Sequence, residues 1–250
     1  MASLIGSRVE RKEDKKFLTG RGRYTADISL AHQTYAYFVR SPHARAKINK
    51  VDISKALKCP GVVNIFTGED IAREKIGGLI AGWKIVSQDG KDMKVPNHPP
   101  LANDTVNYVG DHVAVVIAET LEEAKNAAEI VSVSYKPLKA VVNTADAMNS
   151  EAIYEGIDKN LCFDFILGDK KKTEESFSSA DKVIKLDLVN NRLIPNAMEP
   201  RASIGDYNPS SDELTLYTTS QNPHLSRLVL SAFGGIHPEH KFRVVAPDVG

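Results

Sequence analysis

Asp111-His112-Val113-Ala114-Val115-Val116-Ile117-Ala118 is an almost unbroken apolar run. A strand covered on both faces has this composition, because neither of its faces has to meet water. Directly after it, Thr120-Leu121-Glu122-Glu123 has the spacing in which a threonine caps a helix and a glutamate three residues on answers it. The helix so started carries Leu121, Ala124, Ala128 and Val131 on one stripe. Val131-Ser132-Val133-Ser134-Tyr135 then alternates as a strand, which Pro137 ends. A buried strand, a short amphipathic helix and a second strand in immediate succession predict a mixed α+β unit.

Toward the N-terminus the same grammar continues. Gln33–Arg40 is rich in aromatic and β-branched residues, and Ala46–Ile53 alternates apolar with polar, so both predict strands. Ser54 to Leu57 predicts a short helix, stopped by Pro60-Gly61. Gly61–Thr67 predicts another strand, and Gly68-Glu69-Asp70 the start of a short helix. Residues 77–100 hold Gly77-Gly78, Gly82, Gly90, Pro96 and Pro99-Pro100 and predict an irregular excursion. A loop of that length usually has a task, here packing against another chain.

Toward the C-terminus, Asn143–Glu155 predicts a linker with one helical turn. Strands are expected around Leu161–Leu167, Lys182–Val189, Ala202–Tyr207 and Glu213–Thr219, the last two joined by the polar turn Asn208–Asp212. Pro223 to Phe233 predicts a helix: Leu225, Leu228, Val229, Ala232 and Phe233 form the stripe, Pro223 opens it and Gly234-Gly235 closes it. Lys241–Ala246 predicts a final strand running into Pro247-Asp248-Val249-Gly250.

Composition narrows the class of protein. The 250 residues suffice for one large or two ordinary domains, and 42% hydrophobic against 26% charged residues suits a folded core. Lys+Arg and Asp+Glu both number 32, so no overall field draws in nucleic acid or a membrane surface. No apolar run reaches the roughly 20 residues of a membrane span. The first residues lead into a charged stretch without an apolar secretion signal. Cys59 and Cys162 form no metal-type spacing and are expected as free thiols, in keeping with a cytoplasmic protein.

Motifs for chemistry are sparse. His237 and His240 would need a further ligand such as Glu239 to hold a metal; a solvated turn is the plainer reading. Gly20-Arg21-Gly22-Arg23-Tyr24 lacks the features of a phosphate loop and is expected as a turn. Hydrolase signatures are absent. Thr218-Thr219-Ser220-Gln221-Asn222-Pro223-His224 joins a strand to a helix start, where unpaired backbone N–H groups favour anionic oxygens and Gln221 adds an amide that both donates and accepts. Asn222 is suited simply to capping that helix. In Asn196-Ala197-Met198-Glu199-Pro200-Arg201 the acid and base flanking a proline suggest an ion pair that fixes a loop, or a role in a substrate channel.

Taken in order, several segments resemble one family. They are Phe17–Ile28, Val39–Ala46, Pro60–Val63 with Thr67–Ile71, Pro100–Ala102, Val106–Gly110, Met198–Arg201, Thr219–His224 and Arg243–Gly250. These resemble the molybdenum-carrying large subunits of the xanthine dehydrogenase/aldehyde oxidase family, nearest to the aerobic carbon monoxide dehydrogenase branch. The resemblance implies an α/β hammerhead domain over residues 1–145 and the start of a molybdopterin-binding α+β domain over residues 155–250. It implies oxidation of CO, or hydroxylation of a carbon centre, in a small-molecule substrate. The implied cofactor is molybdenum on molybdopterin cytosine dinucleotide, with 2Fe-2S clusters on an iron–sulfur small subunit and FAD on a medium subunit of a heterotrimer. Gln221 matches the family's glutamine beside the molybdenum centre. Gly250 matches the first glycine of a glycine-rich loop that touches the cofactor. The rest of that loop and the segment with the catalytic glutamate match nothing here, so the chain is expected to be a fragment or part of a split subunit, inactive alone. The alternative is a non-catalytic module or scaffold for docking subunits.

Overall fold

The structure, a computed structural model, describes residues 5–250; Met1–Leu4, on which the reading of an absent secretion signal partly rests, lie outside the described residues. In chain order the helices are α1 (Asp14–Leu18), α2 (Gly68–Arg73), α3 (Leu121–Ile130), α4 (Lys170–Ser179) and α5 (Pro223–Leu228). The strands are β1 (Tyr35–Arg40), β2 (Ala46–Asp52), β3 (Val62–Thr67), β4 (Thr105–Val106), β5 (His112–Ala118), β6 (Ser132–Pro137), β7 (Ser203–Asn208), β8 (Glu213–Thr218) and β9 (Phe242–Val245). The chain divides into two compact units. Among the described residues, one holds 35–74 and 78–196; the other holds 5–34, 75–77 and 197–250.

In the first unit β5 lies between β1 and β3, antiparallel to both. Its two faces serve two cores, which is why it is apolar almost throughout. Ala114, Val116 and Ala118 pack with Ile65 and with Ala124, Ala127 and Ala128 of α3. Alanines on the helix let it approach the sheet closely, so no large side chain is needed between them. Val113 faces the other way and packs with Ala46, Ile48 and Val106 of the second sheet, ordered β4-β2-β6, and with Ala102 in the loop before β4. Val115 and Ile117, also on that face, are half-buried.

Local chemistry starts α2 and α3 where the sequence predicts. Thr120 Oγ1 accepts the Glu123 N–H at 3.2 Å, and the Glu123 carboxylate accepts the Thr120 N–H at 3.0 Å. Thr67 and Asp70 make the same box at the start of α2. Residues 54–57 do not form the expected helix; a single 3-10 turn, Ala56–Lys58, takes the place. With Pro60-Gly61 following at once, there is no length for an α-helical turn to propagate.

Two expected strands do not form. Residues 161–167 and 182–189 form no strand and belong to no ladder among the described residues. Their apolar side chains remain in water: Ile184 is 82% exposed, Leu186 75% and Leu188 81%. A strand needs a neighbour to take its N–H and C=O groups along its length; the Cys162 and Asp164 carbonyls accept the Lys94 and Gln88 N–H groups, both at 2.9 Å, but these bonds build no ladder. Between them stands α4, which the sequence reading passed over. It has no apolar stripe; it is started by Asp169, whose carboxylate accepts the Lys172 N–H at 3.0 Å, and carries Lys170–Glu174 and Lys171–Glu175 pairs one turn apart.

The second unit is built on the sheet β7-β8-β9. β7 and β8 are an antiparallel hairpin through the turn at Asn208–Asp212, in the expected place. β9 runs parallel to β8, with Tyr217 opposite Val245. Parallel neighbours need a crossover, and α5 supplies it. The predicted helix over 223–233 is α-helical to Leu228 and continues as a π turn over Val229–Phe233, in which Gly234 N–H reaches the Val229 carbonyl at 2.9 Å. Gly235, at φ +65°, closes it in the left-handed conformation glycine tolerates.

Candidate cofactor site

The topology of the second unit decides where its loops emerge. β8 and β9 are parallel, so the segments leaving their C-terminal ends, Thr219–Asn222 and Ala246–Gly250, rise from one edge of the sheet. β7 runs the other way and begins at Ser203, paired with Thr218, so the segment before it, with Glu199, arrives at that edge too. Ligands of open sheets are commonly held there, at the carboxyl ends of parallel strands.

Gln221 is held by the backbone on both sides of it. Thr219 N–H donates to the Ala202 carbonyl at 3.1 Å, and Thr219 Oγ1 accepts the Ala202 N–H at 3.2 Å. On the other side, Ser220 Oγ accepts the Asn222 N–H, and Asn222 Oδ1 accepts the Leu225 N–H, both at 3.1 Å. Asn222 is thus the helix cap, as the simpler reading has it. The Gln221 side chain itself is exposed and makes no hydrogen bond among the described residues.

Gly250 is held by groups that no local sequence pattern would pair with it. Its N–H donates to Glu199 Oε2, and a Cβ built on Gly250 would fall 2.6 Å from the Glu199 Cβ. The other carboxylate oxygen of Glu199, Oε1, is buried with no partner. The suggested ion pair of Glu199 with Arg201 is not formed: Arg201 is exposed, and Glu199 is spent on the glycine turn 51 residues away. Two residues before Gly250, Asp248 is bound to the N-terminal segment. Lys16 Nζ donates to its Oδ1 at 2.6 Å, and the Arg23 N–H to its Oδ2 at 2.6 Å. Those two donors hold the Asp248 carboxyl below the ordinary carboxylate range. Asp248 N–H in turn donates to the Arg23 carbonyl at 3.1 Å, and Tyr24 and Asp248 form an isolated bridge. Gly20-Arg21-Gly22 is the turn that brings this segment in, with Gly22 against the Phe17 and Tyr24 rings.

The histidine pair does other work. His237 Nε2 lies 2.9 Å from the Asp212 carbonyl oxygen and so acts there as a donor. Asp212, in left-handed backbone at φ +55°, also takes hydrogen bonds from Tyr207 and Lys241. This is a clamp between the β7–β8 turn and the start of β9. His240 is exposed. His112, at the start of β5, stacks on Phe38 with ring centroids 4.5 Å apart; burial, and then the charge of Arg40, lowers its pKa from the usual 6.5.

Comparison with known proteins cuts the chain at other points than its two compact units do. Residues 19–139 match the aldehyde oxidase and xanthine dehydrogenase a/b hammerhead domain, and residues 153–250 match a molybdopterin cofactor-binding domain. The nicotine 6-hydroxylase large subunit of Paenarthrobacter nicotinovorans is 33% identical over 255 residues, covering 99% of this chain and 30% of that protein. The carbon monoxide dehydrogenase large chain of Afipia carboxidovorans is 33% identical over 262 residues, covering 98% of this chain and 31% of that one. In the crystal structure of quinoline 2-oxidoreductase from Pseudomonas putida 86, a chain 32% identical superimposes with a TM-score of 0.85, covering 98% of this chain and 30% of that one. The chain therefore spans about 30% of the length of the relatives it matches.

Proposed function

Because the chain belongs to the aldehyde oxidase and xanthine dehydrogenase family of molybdenum-dependent oxidoreductases, we propose that it serves as the front of a molybdenum hydroxylase large subunit. In this reading residues 1–145 are the hammerhead domain and residues 155–250 the start of the molybdopterin-binding region. The reaction is oxidation of CO or hydroxylation of a carbon centre in a small molecule. The cofactor is the cytosine dinucleotide form of molybdopterin. Electrons leave to 2Fe-2S and FAD centres on an iron–sulfur and a flavin partner subunit. Cys59 and Cys162 are free thiols, which suits a cytoplasmic enzyme.

The observation that carries this reading is the common edge from which Gln221 and Gly250 emerge. The residues there fit a bulky, polar cofactor. Gln221 presents an unpaired amide that can donate and accept. Gly250 sits where a side chain would collide with Glu199, so the backbone is bare on approach. Its N–H is already committed to Glu199, so its contribution is close approach and not a donated hydrogen bond. When bound, the molybdenum–pterin group supplies the two-electron redox chemistry. This chain's own part is to orient that group and to hold its glycine turn still.

The test is metal and pterin analysis of the purified complex that contains this chain. Molybdenum and pterin are expected in equal, near-stoichiometric amounts, and a Gln221→Ala complex should lose activity severalfold. Residues 1–250 produced alone should bind negligible molybdenum. A complex with neither metal nor pterin would overturn the catalytic reading. It would favour the alternative of a docking module or split-subunit scaffold, which the uncovered Ile184, Leu186 and Leu188 also suit.

A further inference from the structure

Neither Glu199 nor Lys16 is read from the sequence as a cofactor residue, yet the two reach the last residues of the segment after β9, Glu199 at Gly250 and Lys16 at Asp248. From this geometry we propose that they are positioning residues: Glu199 fixes the Gly250 amide, and Lys16, with the Arg23 backbone, fixes Asp248 two residues earlier. The turn is gripped at two points by elements far away in sequence. One grip comes from the segment that precedes β7, the other from the N-terminal strap that runs from α1 to Tyr24. The strap is itself braced, with the Phe17 and Tyr24 rings stacked at 6.2 Å around the turn at Gly20–Gly22. Its pairing with Asp248 is mutual, since Arg23 both donates to the side chain and accepts from the backbone.

A glycine outside any helix or strand is otherwise weakly determined backbone, because glycine loses more conformational freedom on ordering than any other residue. A turn that must meet a ligand closely gains from having that freedom removed beforehand. Two carboxylates, each accepting from a backbone N–H, do this without placing a side chain between the turn and what it faces. The buried Glu199 Oε1, without a partner, marks the cost: desolvating one carboxylate oxygen is tolerated where the other holds the turn. The inference rests on the cofactor reading of Gly250 only for the purpose of the grip; the grip itself is a property of this chain.

The experiment is amide hydrogen exchange on the peptide covering Val245–Gly250, in the purified complex, together with pterin content per chain. Glu199→Ala should speed exchange in that peptide about ten- to a hundredfold, the loss of one hydrogen bond to a charged acceptor. Exchange in the β7–β8 hairpin should stay unchanged and pterin content should fall. Glu199→Gln keeps an acceptor oxygen and should restore most of the protection, which a general loss of fold would not allow. Should Glu199→Ala fail to fold, Lys16→Met removes the other grip from a partly exposed position and should loosen the same peptide. Unchanged exchange in either folded variant overturns the proposal. Loosened exchange with full pterin content would leave the grip standing and sink the cofactor role of Gly250 instead.

Discussion

Asp70 illustrates how one side chain serves two purposes at a helix start. It accepts the Thr67 N–H at 2.8 Å and the Thr67 hydroxyl at 2.9 Å, and it pairs with Arg73 at 2.7 Å. The Thr67 backbone donor, before the hydroxyl and Arg73, holds its carboxyl below the ordinary value of 3.8. A carboxylate depressed in the folded state binds its proton later than the unfolded chain does. Its stabilisation is therefore complete above about pH 4 and is lost as pH falls from there through the depressed folded value. Asp70→Asn should lower stability by about 1 kcal/mol at pH 7 and by less at pH 3, measured by urea unfolding at both. Equal differences at the two pH values would show that charge has no part in the box. At the same scale, Asn222 and Gln221 show what spacing can and cannot tell. A cap is a contact three residues away and is legible; an amide meant for a ligand looks in sequence, and in this chain, like any exposed glutamine.

Elements whose apolar pattern and caps are local were legible, and those held by surface pairs, by distant residues or by an absent neighbour were not. β5 could be read because both of its faces are used, and α3 because its cap is local and Ala124 and Ala128 of its expected stripe are buried; Leu121 of that stripe is exposed, Val131 lies past the helix end, and Ala127 completes the buried face instead. Residues 182–189 carry the same kind of alternation but find no ladder, since pairing is a property of two segments and the pattern records only one. α4 fails the opposite way: its stabilisers are a cap and surface ion pairs, so a search for apolar periodicity passes it by. The grip on Gly250 was illegible for a third reason. It joins residues 51 and more positions apart, with no spacing rule to connect them. Where local and non-local constraints meet, they should couple. Gly61 lies at φ +72°, its carbonyl accepts the Glu119 N–H at 2.9 Å, and the Glu123 carboxylate occupies the space a Cβ would need. Gly61→Ala should cost about 1–3 kcal/mol, through both backbone strain and displacement of the α3 cap. Glu123→Ala removes the obstructing carboxylate, so the double variant should lose less than the two single losses together. Strict additivity in thermal or urea unfolding would mean the collision is relieved some other way.

Across the whole molecule, burial is uneven in a way that matters for how the chain behaves. The first unit has two packed cores of small and branched side chains. Along residues 182–189, by contrast, Ile184, Leu186 and Leu188 alternate with Lys185 and Asp187 and stand in water. A segment that alternates apolar with charged side chains and has no ladder for its backbone carries the pattern of an unpaired edge strand, which seeks another strand wherever it can find one. Relatives more than three times as long have further chain to provide it, and no such strand pairs with it among the described residues. The isolated chain should therefore self-associate at micromolar concentration. Replacing Leu186 by lysine puts a charge in the middle of the apolar face, the means by which natural edge strands are kept apart. Leu186→Lys should raise the monomer fraction in sedimentation velocity while leaving circular dichroism unchanged, because the side chain it replaces supports no core. In the complete complex the same substitution should do the reverse and impair assembly, since there the face has a partner to lose. A wild-type chain that stays monomeric, or a variant that assembles as well as the parent, would show that this face is simply solvated.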